Sequence, residues 1–140
     1  LIPNLVEEVL RVESPVQTHF RYATRATQLN GVQIPEGAGV GVMYGCANRD
    51  EANFSHPDTF DVSRENAAKH LAFSQGIHFC PGAPLARLES VIAFEQLFAR
   101  LENFRLDATL SDLRHLPSFT HRGLRKVQVN FERVVTATSQ

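Results

Sequence analysis

The sequence has no apolar run approaching the ~18 residues that a membrane-crossing helix needs, so no membrane role is expected of it. It also lacks a secretory signal pattern, because Glu7, Glu8 and Arg11 interrupt its N-terminal apolar residues. Cysteine is scarce. Cys46 and Cys80 cannot build a disulfide framework, and they suit a reducing cytosol. Charge of one sign is missing too: fourteen Lys+Arg face fifteen Asp+Glu, a formal net charge of −1. That balance argues against a strongly basic nucleic-acid binder, although a local basic patch can survive it. Internal repeats and low-complexity tracts are absent. What remains is 140 residues of 15.6 kDa, 43% hydrophobic and 21% charged. This is the composition of a soluble, cytoplasmic, globular chain, either one domain or one piece of a larger one.

Leu5, Val6, Val9 and Leu10 recur at helical spacing, and Ser14-Pro15 ends that helix because the residue before proline avoids the helical region. Phe20 to Tyr44 reads as strands. Asn30-Gly31 signals a hairpin turn, Pro35-Glu36-Gly37 another turn, and Val40-Gly41-Val42 a further strand. Asn48 to His70 shows almost no periodicity, and so long an irregular stretch is usually functional. After Pro84, which suits a first helical turn, Leu85, Leu88, Val91, Ile92, Leu97, Phe98 and Leu101 trace a long helix. Phe94 widens that stripe, and the pattern predicts a helix buried over much of its circumference. The segment from Phe104 to Val135 reads as short strands, with a turn at Arg122-Gly123.

The loop before the long helix, Phe73 to Pro84, sets two glycines and two prolines around Cys80. Such a loop is stiff and aims the sulfur. Near a helix N-terminus the dipole and unpaired N–H groups favour a thiolate, usable as nucleophile, redox thiol or metal ligand. No second cysteine stands two residues away, which disfavours thioredoxin-like chemistry.

The run Phe73-x-x-Gly76-x-His78-x-Cys80-x-Gly82-x-x-Leu85-Ala86 resembles the haem-binding signature of the cytochrome P450 family, in its soluble bacterial type. Further segments match in order: Glu8-Val9-Leu10-Arg11 resembles the family's Glu-x-x-Arg helix. Asn48-Arg49-Asp50 and Phe60-Asp61-Val62-Ser63-Arg64 resemble its irregular stretch, and Arg122-Gly123-Leu124 its C-terminal hairpin. The likeness extends from about Leu5 to Phe131.

The resemblance implies an α+β chain: the C-terminal, haem-binding part (residues 1–140) of the mainly helical P450 fold, with short helices, small antiparallel strands and one long helix after the ligand loop. It implies haem b (iron protoporphyrin IX) with Cys80 as catalytic thiolate and iron ligand. The N–H groups after Cys80 are expected to hydrogen-bond the sulfur, with Gly82 permitting close backbone approach and Gly76 shaping the loop. Phe73 is expected to shield the thiolate. His78 and Arg21 take positions that pair with the haem propionates, and His19 is a weaker candidate. Glu8 and Arg11 form the family's structural ion pair, whereas spacing alone would pair Glu7 with Arg11. For the network's third member the candidates are Thr59 and Arg64. Val16, Gln17, Phe119 and Thr120 are expected near substrate.

The implied activity is O2-dependent insertion of one oxygen atom into a small organic substrate, fed by a ferredoxin-type donor and an NAD(P)H-dependent reductase. The family's oxygen-activating helix lies upstream of the Glu-x-x-Arg helix, so the 140 residues are expected to be inactive alone. Two alternatives stand beside this: a haem sensor or carrier without oxygenase activity, and an inactive fragment.

Blander readings accompany each choice. Cys46 reads as a buried inert thiol, and His70, His115 and His121 as surface or loop residues. A zinc site from Cys46, His56, His78 and Cys80 matches no closed spacing. Lys69, Arg64 and Arg87 form either a solvated face or a basic patch for an acidic electron donor.

Overall fold

A computed structural model describes residues 1–135. Helix α1 (Ile2–Glu13) carries Pro3 in its first turn, where a missing N–H costs nothing. It ends at Ser14, whose φ of 40° is left-handed and whose N–H bonds the Leu10 carbonyl, after which Pro15 bars continuation. Strand β1 (Thr18–Tyr22) runs antiparallel to β4 (Gly39–Met43), with Thr18 opposite Met43 and Tyr22 opposite Gly39. Between them, β2 (Thr27–Leu29) and β3 (Val32–Ile34) form the expected hairpin. Its Asn30 and Gly31 both have positive φ, 47° and 83°, which matches the twist of a two-residue hairpin.

The short helix α2 (Tyr44–Ala47) opens the irregular stretch, which holds only a 3-10 turn at Ala67–Lys69 before the cysteine loop. A second 3-10 turn, Gly76–His78, lies within that loop. Helix α3 (Ala83–Arg100) follows, with Pro84 in its first turn. The remaining strands are β5 (Leu101–Leu106), β6 (Asp112–His115), β7 (Leu124–Lys126) and β8 (Val129–Arg133). They pair antiparallel as β5 with β8 and β6 with β7. Among the described residues the architecture is α+β, with four two-stranded sheets and three α-helices.

Among the described residues the buried apolar side chains are few: Val6, Tyr44, Phe54, Ala67 and Ala83. The largest fully buried side chains are instead polar: Arg11, Glu8, Asn48, Thr18 and Ser14. Ordinarily charged groups are almost never fully buried unless paired, so the centre of this chain is a polar network.

The expected burial of α3 is not found among the described residues. Leu85, Leu88, Ile92, Leu97 and Phe98 are exposed, and Ala83 alone is buried on this helix. The reason is geometric: α3 packs on α1 and β5, and neither reaches around its apolar circumference. No described helix is long and apolar enough to cross a membrane.

Candidate functional site

The site is built from the polar network outward. Arg11 on α1 uses every nitrogen of its guanidinium. Nε and Nη2 donate to the two Glu8 carboxylate oxygens, each at 2.8 Å. Nη1 donates to the carbonyls of Asn48 and Pro57 at 2.9 and 2.7 Å, and Nη2 also to Thr59 at 3.2 Å. The spacing preference for Glu7 is therefore overridden by three-dimensional packing, since Glu8 faces the irregular stretch. Arg64, not the Thr59 side chain, brings the third charge: its Nε donates to Glu8 Oε1 at 3.1 Å, while Thr59 contributes its carbonyl oxygen. Burial alone would raise the Glu8 carboxyl. The Arg11 hydrogen bonds, the Asp61 N–H and Arg64 outweigh it and hold Glu8 below the ordinary carboxylate value.

Asn48, fully buried, links this network to the cysteine loop. Its side-chain amide donates to Ser14 Oγ at 2.8 Å, and its Oδ1 accepts the Leu71 N–H at 2.6 Å. From Leu71 the chain runs into Phe73, whose carbonyl accepts the Cys80 N–H at 2.9 Å and closes the loop. Gly76 sits inside it with φ of 68°, a conformation that glycine adopts without a Cβ clash. In the sequence Asn48 stands out only within the Asn48-Arg49-Asp50 run. Its hydrogen-bonding role depends on partners 23 and 34 residues away, for which sequence carries no local signal.

Cys80 is half-buried and lines a cavity of about 350 Å³ with Val16, Leu10, Phe73, Tyr44, His19 and His78. His78 is exposed at its mouth. His19 is edge-on to the Tyr44 ring at 5.7 Å, and Tyr44 Oη meets Ser74 Oγ at 3.0 Å. Arg21 does not line this cavity; it lies two residues beyond His19 on the same face of β1, and its Nη1 donates to the Phe20 carbonyl at 2.9 Å. The weaker candidate, His19, is thus nearer to Cys80's cavity than Arg21.

One expectation about the sulfur's surroundings needs correction. Gly82 has an ordinary helical φ of −82°, and a Cβ there would stand 3.8 Å from Cys80 Sγ, a normal contact. Its lack of a side chain is not demanded by close approach. After Cys80, Pro81 has no N–H to give and the N–H of Ala83 donates to the Cys80 carbonyl oxygen.

Of the four residues expected near substrate, Gln17 meets Thr120, while Val16 meets the neighbouring His121. The Gln17 N–H donates to the Thr120 carbonyl at 2.8 Å, and Val16 pairs with His121. Phe119 stacks on Phe20 at 5.9 Å. Val16 alone of the four lines the Cys80 cavity. The Gln17 side chain is engaged elsewhere, donating to the Glu13 and Ser14 carbonyls at the end of α1.

The histidine and basic-patch readings also change. His70 is buried rather than superficial, because Glu7 and the Ala72 N–H satisfy both ring nitrogens. Arg64 is buried on Glu8 and Arg87 is paired with Glu7, which leaves Lys69 as the one of the three without an ionic partner among the described residues. Cys46 is exposed on the four-residue α2, too short to cover it. Cys46, His56, His78 and Cys80 form no metal-holding cluster among the described residues.

The model of the cytochrome P450 family matches residues 1–128. This chain belongs to the cytochrome P450 family. It is 48% identical over 130 residues to cytochrome P450 107B1 of Saccharopolyspora erythraea, covering 92% of this chain and 32% of that protein. It is 40% identical over 131 residues to the same organism's 6-deoxyerythronolide B hydroxylase, covering 94% and 32%. Among solved structures, a substrate-free cytochrome P450 of Mycobacterium marinum superposes with a TM-score of 0.91 at 36% identity, covering 96% of this chain and 34% of that one. The chain therefore spans about a third of the length of the relatives it matches. The Cys80 cavity fits a haem by its chemistry: one thiol, apolar walls, and imidazoles at the rim that can meet carboxylates.

Proposed function

We propose that residues 1–140 serve as the C-terminal, haem-ligating part of a P450 monooxygenase, with haem b bound through Cys80. The observation that carries this reading is the Cys80 thiol on a closed loop, lining an apolar cavity whose rim holds His19 and His78. A bound haem would supply O2 activation, by which one oxygen atom enters a small organic substrate.

The chain's own residues would do the rest. Cys80 gives the thiolate, stiffened by Pro81 and by its N–H bond to Phe73. His78 and His19, with Arg21 farther along β1, offer cationic donors to propionates. Phe73 keeps water from the sulfur, which tunes iron as a hydrophobic shell does. Val16 lies on the cavity wall, and Phe119 and Thr120 stand beside it on the substrate side. The Glu8–Arg11–Arg64 network holds α1 against the irregular stretch and so fixes the loop. Electrons would come from a ferredoxin-type donor and an NAD(P)H-dependent reductase, in the cytoplasm. Because the relatives are about three times as long, turnover belongs to the longer polypeptide.

The test is a haem titration followed by the reduced, CO-bound difference spectrum, with Cys80→Ser beside it. A strongly red-shifted thiolate band in the parent, lost in Cys80→Ser, is the expected result. A parent band that survives the substitution would overturn Cys80 as ligand. Stable haem binding without substrate oxidation in the full-length protein would favour a sensor or carrier instead.

A further inference from the structure

Phe73 is held from two sides. The Arg87 guanidinium carbon lies 4.8 Å from the centre of its ring, and the His70 ring is 5.9 Å away, tilted by 50°. Both of these groups converge on one carboxylate. Arg87 Nε and Nη2 donate to Glu7 Oε1 and Oε2 at 2.6 and 2.9 Å, a bidentate pair, and His70 Nε2 stands 3.1 Å from Glu7 Oε2. The His70 tautomer is fixed by the backbone. Its Nδ1 accepts the Ala72 N–H at 3.0 Å, so Nε2 carries the proton and points it at Glu7. Glu7 comes from α1, Arg87 from α3 and His70 from the end of the irregular stretch, so one side chain fastens three elements around one ring.

Phe73 also stands between two cavities. On one side is the 350 Å³ cavity of Cys80. On the other is a larger one of about 640 Å³ whose lining includes Lys69, Asp50, Asn53, His70 and Arg87. The second cavity is polar at those residues. Phe73 and Ser74 border both, the aromatic ring being the bulkier of the two, and the Phe73 carbonyl takes the Cys80 N–H. A ring free to turn would open a path for water from the polar cavity toward the sulfur.

We infer that Glu7, through Arg87 and His70, is a positioning residue that clamps Phe73 as the partition between the polar cavity and the Cys80 thiolate. This rests on the reading of Cys80 as the haem ligand. The consequence has a sign. Water hydrogen-bonded to a thiolate withdraws charge from it, lessens its donation to iron, and so favours the reduced metal. Loosening the clamp raises the reduction potential; tightening the ring lowers it.

The experiment uses the haem-loaded full-length protein and variants Glu7→Gln, Arg87→Met and Arg87→Lys, each alone and combined with Phe73→Leu. The expected result is an upward shift in reduction potential for Glu7→Gln and Arg87→Met, and partial loss of the thiolate-type CO band. Arg87→Lys keeps a cation but loses the planar fork, and is expected to shift less than Arg87→Met. In the Phe73→Leu background the Glu7 and Arg87 substitutions are expected to add no further shift, because the ring they act through is gone. Potentials that stay at the parent value while thermal stability falls would overturn the proposal. So would equal shifts with and without Phe73, which would mean direct electrostatics on the iron. If Glu7→Gln fails to fold, the Arg87→Met and Arg87→Lys pair decides the matter by the same readouts. Failure of the underlying reading is separate: the parent itself would then lack the thiolate band.

Discussion

Replacing Glu8 by Gln changes one atom type at a fully buried charge. The carboxylate is inaccessible to solvent and accepts from four donors: Arg11 Nε, Arg11 Nη2, Arg64 Nε and the Asp61 N–H. A glutamine offers one oxygen in place of two, and its NH2 must face a guanidinium or an N–H, donor against donor. Two guanidinium groups also lose their common counter-charge. Removing one partner of a buried ion pair costs about 3–5 kcal/mol, a large share of the roughly 5–15 kcal/mol that stabilises a typical domain. Carbonyl dipoles from Asn48, Pro57, Thr59, Ser55 and His56 still surround the two cations, which argues for the lower end of that range. The Arg49–Asp58 pair gives the internal contrast. Asp58 there is 83% exposed, and Asp58→Asn is expected to cost less than about 1 kcal/mol. Urea unfolding of the full-length protein, followed by far-UV circular dichroism, measures both. A Glu8→Gln loss below about 1 kcal/mol, indistinguishable from Asp58→Asn, would refute the view that this buried network holds the segment together.

Gly76→Ala is expected to destabilise by about 1–2 kcal/mol, because φ of 68° puts a Cβ in the left-handed region, whereas Gly82→Ala stays within about 0.5 kcal/mol. Thermal midpoints of the two variants check this, and equal losses would contradict it. Burial holds the folded His70 below its ordinary value of 6.5, outweighing Glu7's attraction. The unfolded chain then takes up a proton first as pH falls, so the contribution of His70 is present above about pH 6.5 and is lost below it. Thermal midpoints at pH 7.5 and 5.5 should show this fall, and His70→Asn should flatten it. On α3, Leu88→Ala in the full-length protein is expected to cost about 2–5 kcal/mol, the cost of a covered core leucine. A change within about 0.5 kcal/mol would instead mark this apolar face as open to water.

The elements were legible where their cause is local. Asn30-Gly31 specifies its turn by backbone conformation alone, and Pro84 with the apolar spacing behind it specifies α3. The cysteine loop was legible for the same reason, since its glycines and prolines act on their own neighbours. What escaped depended on distant partners. Periodicity showed that α3 is apolar but carried no information on what covers it. Glu7 and Glu8 are adjacent acids on one helix, and spacing favoured the wrong one. Only packing separates them: Glu8 turns toward Arg11 and Arg64, and Glu7 toward Arg87 and His70. Likewise His70 looked like a loop residue because nothing near it in sequence is its partner except the Ala72 N–H.

The placement of these two acids ties stability to the site. Glu8 anchors the irregular stretch, Asn48 carries that anchorage to Leu71, and two residues later Phe73 receives the Cys80 N–H. Glu7, one residue away on α1, reaches the same Phe73 from its other side through Arg87 and His70. A single turn of helix therefore fixes both the backbone that aims the sulfur and the ring that borders it. Apolar packing is too sparse here to do this, with five buried apolar side chains among the described residues. Directional hydrogen bonds to charged groups supply what dispersion cannot, a unique register between segments 37 to 80 positions apart in sequence. It follows that substitutions at Glu7 and Glu8 should separate in their effects: Glu8 chiefly on unfolding, Glu7 chiefly on the reduction potential of the haem proposed at Cys80.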